Sequence, residues 1–139
     1  MLKEMNKLIA DLNVLGVKLH TYHYNVVGNS FYATHVFLEG QYDATNDFID
    51  EVAEVLKMSN EYPIGTIKEM LSVSTIKEVE SKDYTAKEVL TDLISDYKML
   101  IESCQAIKEQ DLSLIAEDVL DAIESALCKQ VWFMSATIK

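Results

Sequence analysis

Apolar residues recur along most of this chain at alternating intervals of three and four positions. Such spacing is typical of the buried face of an α-helix. The runs are Met5, Leu8, Leu12, Leu15, Leu19, Tyr22, Val26; His35, Leu38, Tyr42, Thr45, Ile49, Val52, Leu56; Leu90, Leu93, Tyr97, Leu100, Cys104, Ile107; and Ile115, Val119, Ala122, Ala126, widened by Leu120, Ile123, Leu127, Val131, Met134. The sequence therefore predicts four long helices.

The segments between these runs contain the residues that interrupt helices. Gly28 lies between the first two runs, and we expect it to end the first helix in a left-handed conformation. Residues 59–83 contain the only proline, Pro63, and also Gly65, which predicts a linker. Within this linker, Thr66 can cap a short helix.

The remaining boundaries complete the predicted architecture. The third helix should begin at Asp83 or Thr85, and the fourth near Asp111. Two helices, a linker of 25 residues (59–83) and two further helices are typical of an all-α, ferritin-like four-helix bundle with one long crossover. We expect residues 1–139 to form a single domain.

Composition narrows the classes of protein to consider. With 4 Gly and 1 Pro in 139 residues, the chain lacks the turns that a β-sandwich or barrel needs. No apolar run is long enough to span a membrane, and the N-terminus has no secretory pattern. Cys104 and Cys128 lie in helical patterns, and we expect both to be buried, reduced thiols of a cytosolic protein.

The charge balance favours cations over nucleic acids as partners. The formal net charge is −11, and all 12 basic residues are lysines. Because binding to duplex DNA depends on neutralising phosphates, we expect no direct DNA binding. The helical pattern begins near Met5, so we also expect no lysine-rich tail.

Four polar residues of the second helix form one stripe. At 100° per residue, Glu39, Asp50 and Glu54 lie about 40°, 60° and 100° from His35 around the helix axis. A solvated acidic face with a stray histidine is the simplest interpretation. Histidine and carboxylates are, however, also the ligands of Fe(II), Mn(II) or Zn(II), so the stripe is a candidate metal site.

One chain cannot complete such a site. The His35/Glu39 and Asp50/Glu54 pairs are 15 residues apart, about 22 Å along a helix. If two copies of this helix pair antiparallel about a two-fold axis near residues 44 and 45, Asp50 and Glu54 of one copy face His35 and Glu39 of the other. His23 can join His35 from the first helix. Each pair of chains would then hold two equivalent sites.

Five segments also carry recognisable short motifs. They are Leu19-His20-Thr21-Tyr22-His23-Tyr24-Asn25-Val26-Val27-Gly28-Asn29-Ser30-Phe31; His35, Phe37, Glu39 and Tyr42; Asp50-Glu51-Val52-Ala53-Glu54; Pro63-Ile64-Gly65-Thr66-Ile67-Lys68-Glu69; and Lys129-Gln130-Val131-Trp132-Phe133-Met134. In this order they resemble the L-H-x-x-H-W-x-V-x-G-x-x-F, H-x-x-F/x-E/D-x-x-Y, D-x-x-A-E, P-x-G-T-x-K-E and K-x-x-W-M/F signatures of the Dps family, the mini-ferritins (DNA-protection proteins from starved cells). The resemblance covers nearly the whole chain.

This resemblance implies a dodecameric shell of four-helix subunits that stores iron. It implies that Fe(II) is oxidised at a site between two subunits, mainly by hydrogen peroxide, and that the shell holds the Fe(III) mineral and protects the cell from oxidative stress. By position, the expected ligands and catalytic residues are His23, His35 and Glu39 from one subunit, and Asp50 and Glu54 from its partner.

The chain departs from the family pattern at several positions. Tyr24 replaces a tryptophan thought to quench radicals, and Val55 replaces an arginine. His20 matches the first histidine of the signature, which the family does not use as a principal ligand, so we expect it beside the site. Asp118 is a candidate for lining a pore that admits iron. Weaker pore candidates are Glu109, Asp111 and Glu117.

Two rival functions remain to be compared. Other ferritin-like di-iron proteins carry Glu-x-x-His pairs within one chain, and no histidine here has a glutamate three positions before it. The second rival is a non-enzymatic shell that compacts DNA or acts in signalling, with a relic metal site. The sequence does not choose between peroxide and oxygen as the oxidant, and zinc or manganese could occupy the same ligands.

Overall fold

The structure, a computed structural model, describes all 139 residues. It contains five helices and two very short strands: α1 Leu2–Asn25, β1 Val26–Val27, α2 Phe31–Met58, α3 Ile67–Val73, β2 Tyr84–Thr85, α4 Ala86–Lys108 and α5 Leu114–Thr137. The most extensive helix contacts are those of α1 with α2 and of α4 with α5. The predicted four-helix bundle with a short helix in its crossover is confirmed.

Side-chain caps fix where three of the helices begin. The Thr66 hydroxyl accepts a hydrogen bond from the Glu69 backbone N–H at 3.1 Å, which confirms the predicted cap of α3. Thr85, not Asp83, caps α4 in a reciprocal capping box with Glu88. The start predicted for the fourth helix, near Asp111, was wrong by three residues because the Ser113 hydroxyl caps α5.

The turn between α1 and α2 differs from the prediction. Helix α1 ends at Asn25, and the extended residues Val26 and Val27 pair in parallel with Tyr84 and Thr85. Gly28 adopts a positive φ of 108°, as expected, but it lies in the turn before α2 and does not cap α1. The β1–β2 pairing ties this turn to the start of α4.

The buried residues confirm three of the four predicted apolar faces. In α5, the buried residues are Ala116, Leu120, Ile123, Leu127 and Met134. Leu120, Ile123, Leu127 and Met134 of the predicted face are thus confirmed, whereas Ile115, which is 52 % exposed, was wrongly included. Cys104 is buried as expected, and burial raises its thiol pKa to about 12. Cys128 is exposed, contrary to the prediction.

Two buried polar networks cross the bundle. Lys18 of α1 lies between Asp92 and Asp96 of α4, with its Nζ 2.9 Å and 2.7 Å from their carboxylates. The Tyr22 hydroxyl donates to Asp92. Burial raises the pKa of Asp96, and the hydrogen bond from Lys18 opposes that shift.

None of the five helices combines the length and the apolar character that crossing a membrane requires.

The second network joins three helices. The Tyr97 hydroxyl of α4 donates to the Gln41 Oε1 of α2 at 2.7 Å, and the Gln41 Nε2 donates to Gln130 of α5 at 3.1 Å. Such a network is satisfied only when the three helices are in the correct register. It therefore helps to fix how α2 is rotated within the bundle, and thus which residues α2 presents on its outer face.

Candidate metal centre

The structure brings His23 and His35 together across the turn between α1 and α2. Their rings stack with centroids 3.6 Å apart and planes within 11° of parallel. The Nδ1 of His23 lies 2.7 Å from the backbone carbonyl oxygen of His35, and the Nδ1 of His35 lies 2.7 Å from that of His23. Each ring is therefore held by the backbone of the other residue.

These reciprocal hydrogen bonds determine the chemistry of both rings. A carbonyl oxygen can only accept, so each Nδ1 must carry the proton that it donates. In the neutral ring, the Nε2 atom then keeps its lone pair. A metal-binding histidine has this arrangement, in which a hydrogen bond from one nitrogen fixes the tautomer and orients the other.

Aromatic side chains surround the pair. The Phe31 ring stacks on the His35 ring with centroids 5.0 Å apart, and the Tyr42 and His23 rings are nearly perpendicular with centroids 5.3 Å apart. The His20 ring stacks on the Tyr42 ring, with their centroids 3.8 Å apart. The exposed Tyr24 has its hydroxyl 3.4 Å from the His20 Nδ1. His20 and Tyr24 thus lie beside the stacked pair.

The carboxylates of the predicted site lie along the outside of α2. Glu39 is exposed one turn after His35, and burial together with the charge of Glu39 raises the pKa of the Tyr42 hydroxyl. Asp50 and Glu54 are exposed much farther along the same helix. None of these three carboxylates forms an ion pair within the chain.

The predicted ligands thus form two separate groups on one chain. His23, His35 and Glu39 lie near the start of α2, whereas Asp50 and Glu54 lie near its end. Within a single chain, no cluster of three or more histidine, cysteine or acidic side chains is placed to hold a metal ion. Asp118 is exposed near the start of α5, on a different helix from both groups.

Some residues that shape the centre were missed in the sequence. Phe31 belongs to a motif but carries no ligand atom, and the carbonyl groups that orient both histidines carry no side-chain signal. The Lys18 network, which fixes the end of α1 just before His23, was also missed. The only sequence feature that hints at this network is the position of Lys18 next to Leu19 of the apolar run.

Known proteins with similar sequences and structures cover the whole chain. The family model described as a ferritin-like domain matches residues 2–139. General stress protein 20U of Bacillus subtilis is 30 % identical over 98 % of this chain and 95 % of its own. The DNA protection during starvation protein of Brevibacillus brevis is 32 % identical over 97 % of this chain and 92 % of its own.

Solved structures agree with the sequence comparisons. The antigen TpF1 of Treponema pallidum superposes with a TM-score of 0.93 at 27 % identity, over 98 % of this chain and 89 % of its own. A Dps protein from Bacillus brevis superposes with a TM-score of 0.89 at 30 % identity, over 98 % of this chain and 93 % of its own. The chain therefore belongs to the ferritin-like family and, within it, to the Dps proteins.

Proposed function

We propose that this protein oxidises Fe(II) with hydrogen peroxide at sites shared between two copies of the chain, and stores the Fe(III) product inside a shell of twelve chains. Membership of the Dps proteins supports iron storage and protection in general. The proposal adds the residues: His23, His35 and Glu39 from one chain, and Asp50 and Glu54 from its partner.

The observation that carries this proposal is the division of the ligands between the two ends of α2. The helix is continuous from Phe31 to Met58, so the midpoints of the two ligand groups are about 22 Å apart. Both groups lie on one stripe of its surface. A two-fold axis between them, near residues 44 and 45, would bring each group of one chain to the opposite group of the other.

A groove on the surface between the two groups supports the proposal that a second helix packs there. A groove of about 430 Å³ runs between α1 and α2, and its lining includes Gly16, His20, Asp43 and Asn46. By the angle of 100° per residue, Asp43 and Asn46 fall within the ligand stripe, midway along it. The absence of a side chain at Gly16 leaves space for a close approach.

Exposed apolar residues continue this surface onto α3. Val17 of α1 is 61 % exposed, and Ile67 of α3 is 76 % exposed. Helix α3 buries none of its own residues. Uncovered apolar side chains beside an incomplete ligand set support an interface with a second copy. Because each copy carries a charge of −11, apolar contacts would have to outweigh repulsion between the copies.

The stacking of the two histidines supports a further part of the proposal, namely two iron ions at each shared site. A nitrogen lone pair lies in the plane of its own ring, so an ion bound to one Nε2 would be about 3.5 Å out of the plane of the other ring. That separation exceeds a metal–imidazole bond of about 2.1 Å. Each ring would therefore hold its own Fe(II), and the carboxylates would complete the two ligand sets.

Two iron ions per site match the two electrons that one hydrogen peroxide accepts. Two Fe(II) give up one electron each, and one hydrogen peroxide takes both electrons and two protons to form two waters. Paired electron transfer avoids the hydroxyl radical that a single Fe(II) would release. The strongly negative chain does not favour DNA, so protection would come from removing iron and peroxide rather than from covering DNA.

Anaerobic titration with Fe(II), followed by peroxide, tests this function. We expect two Fe(II) bound per chain before oxidation, and one peroxide consumed for every two irons. Sedimentation of the same sample should give twelve times 15.8 kDa, about 190 kDa. A stable monomer, or tight binding of iron that peroxide does not oxidise, would contradict the proposal.

A further inference from the structure

Asp11 is a fully buried carboxylate that takes no part in the metal centre. It lies on α1 and faces the crossover that joins the two halves of the bundle. Its Oδ1 accepts hydrogen bonds from the Ser74 hydroxyl at 2.8 Å and from the Thr75 backbone N–H at 2.7 Å. Its Oδ2 accepts from the Lys7 Nζ at 2.6 Å. A buried charge needs such partners to be tolerated.

The residues that Asp11 holds follow directly after α3. On the other side of α3, the Asn6 Oδ1 of α1 accepts from the Ile64 backbone N–H at 2.7 Å, and the Asn6 Nδ2 donates to the Tyr62 carbonyl at 3.4 Å. Helix α1 thus holds the chain at both ends of α3. Because α3 itself buries no residue, its position depends on these polar contacts together with the flanking apolar residues Ile64 and Ile76.

The placement of α3 decides where its apolar side chains are presented. Ile67 and Leu71 are exposed and, with Val17 of α1, line a depression of about 300 Å³ between the two helices. Asn13 and Val17 line both this depression and the groove between α1 and α2. The two surfaces are therefore continuous, and the groove lies midway between the two ligand groups of α2.

We infer that Asp11, assisted by Asn6, is the positioning residue of the two-fold interface: it holds α3 so that Ile67 and Leu71 form one contact surface with Val17 for a second copy of this chain. This inference rests on the proposed function, since the second copy is the one that completes the ligand set. Asp11 touches no ligand, and it acts on iron oxidation only through assembly.

The decisive variant is Asp11→Ala in the full-length chain. It leaves the donors of Ser74 and Thr75 without their acceptor, so the crossover should detach from α1. We expect hydrogen exchange across residues 66–75 to become at least about tenfold faster, since this exchange reports local opening. We also expect the assembly to dissociate at concentrations at least about tenfold higher than wild type, with helical circular dichroism nearly unchanged.

A conservative variant distinguishes loss of the hydrogen bonds that Asp11 accepts from general damage to the fold. In Asp11→Asn, Oδ1 remains an acceptor for Ser74 and Thr75 while the charge opposite Lys7 is lost. We expect this variant to recover most of the assembly that Asp11→Ala loses. Asp11→Ala with wild-type assembly and wild-type exchange across 66–75 would overturn the inference, as would equal loss of assembly in both variants.

A double variant on the surface itself tells the two proposals apart, and also serves if Asp11→Ala does not fold. Ile67→Asp with Leu71→Asp changes only exposed side chains, so the chain should fold but remain unassembled. If this double variant assembles normally, the interface of the proposed function is itself wrong, and the role of Asp11 falls with it. If it blocks assembly while Asp11→Ala assembles normally, only the positioning role of Asp11 is refuted.

Discussion

The two ends of α2 differ in how much of the proposed metal centre a single chain prepares. At the first end, His35 is stacked on His23 and both rings are fixed by backbone carbonyls. At the other end, Asp50 and Glu54 extend from the helix as exposed carboxylates with no ion pair in the chain. One end is organised by folding, whereas the other would be organised only by assembly.

This difference has a physical reason. Imidazoles must present one particular nitrogen, so their tautomer and rotation have to be fixed before metal arrives. Carboxylates can bind through either oxygen, and they need only be carried to the right place by a rigid helix. Holding them exposed also avoids burying unpaired negative charge in the single chain. Assembly would thus complete the site at little cost to the stability of the fold.

The largest expected effect is on the rate of iron oxidation, at the end of α2 that carries Asp50 and Glu54. Glu54→Ala should slow peroxide-driven iron oxidation about a thousandfold, because even outer contacts of a metal ligand are worth ten- to a hundredfold. Stopped-flow absorbance of Fe(III) formation measures this change. Glu51→Ala removes a neighbouring exposed carboxylate that lies about 160° from His35, outside the stripe, and should leave the rate nearly unchanged. Equal rates in the two variants would show that the stripe is not the site.

A smaller effect, on the free energy of unfolding, is expected from the network of Lys18, Asp92 and Asp96 that holds the end of α1. Lys18→Met leaves Asp92 and Asp96 without their cation and should lower the free energy of unfolding by about 3 kcal/mol at pH 7. Urea denaturation measures this loss, and Lys98→Met, at an exposed position of α4, is the control. A Lys18→Met loss no greater than that of the control would show that the network does not stabilise the end of α1.

The pH dependence of the same variant has a definite sign. Burial already raises the pKa of Asp96, and removing Lys18 removes the contact that opposes this shift. A carboxyl whose folded-state pKa is raised destabilises the fold above that pKa, and protonation relieves the cost as the pH falls through it. The loss in free energy of unfolding caused by Lys18→Met should therefore become smaller as the pH falls from 7 to 5. A deficit that grows in this range would contradict the assignment.

The smallest expected effect is a difference in the free energy of unfolding between variants at the two ends of α2. His35→Ala removes a stacked ring and leaves the His23 carbonyl without its donor, which should cost about 1–2 kcal/mol. Glu54→Ala should change stability by less than about 0.5 kcal/mol, since its side chain is exposed. Thermal unfolding of the two proteins checks this contrast. Equal losses would mean that the end with His35 is no better organised than the other.

The sequence predicted the helices well because each buries one face at a period of 3.6 residues. It was less exact on α5, where it included the exposed Ile115 and omitted the buried Ala116. Periodicity cannot choose between two apolar faces of the same helix. The choice depends on how α5 packs against α4, which is a property of the tertiary structure.

The candidate site was predictable only in part. The spacing on α2 predicted His35, Glu39, Asp50 and Glu54 as ligands, and the structure places His23 against His35. The groups that hold this region could not be found in that way. Lys18 meets Asp96 at a separation of 78 residues, and Asp11 meets Thr75 at a separation of 64. No local pattern records such pairings.

The most direct test of the shared site is to mix two inactive variants. In a mixture of Glu54→Ala and His35→Ala chains, reassembled from the unfolded state, half of the two-fold pairs contain one chain of each kind. In such a pair, one site lacks both residues and the other is complete. Random pairing should therefore restore about a quarter of the wild-type sites, and with them about a quarter of the rate of iron oxidation. If a fully reassembled mixture recovers no activity, Glu54 and His35 do not serve one site from two chains.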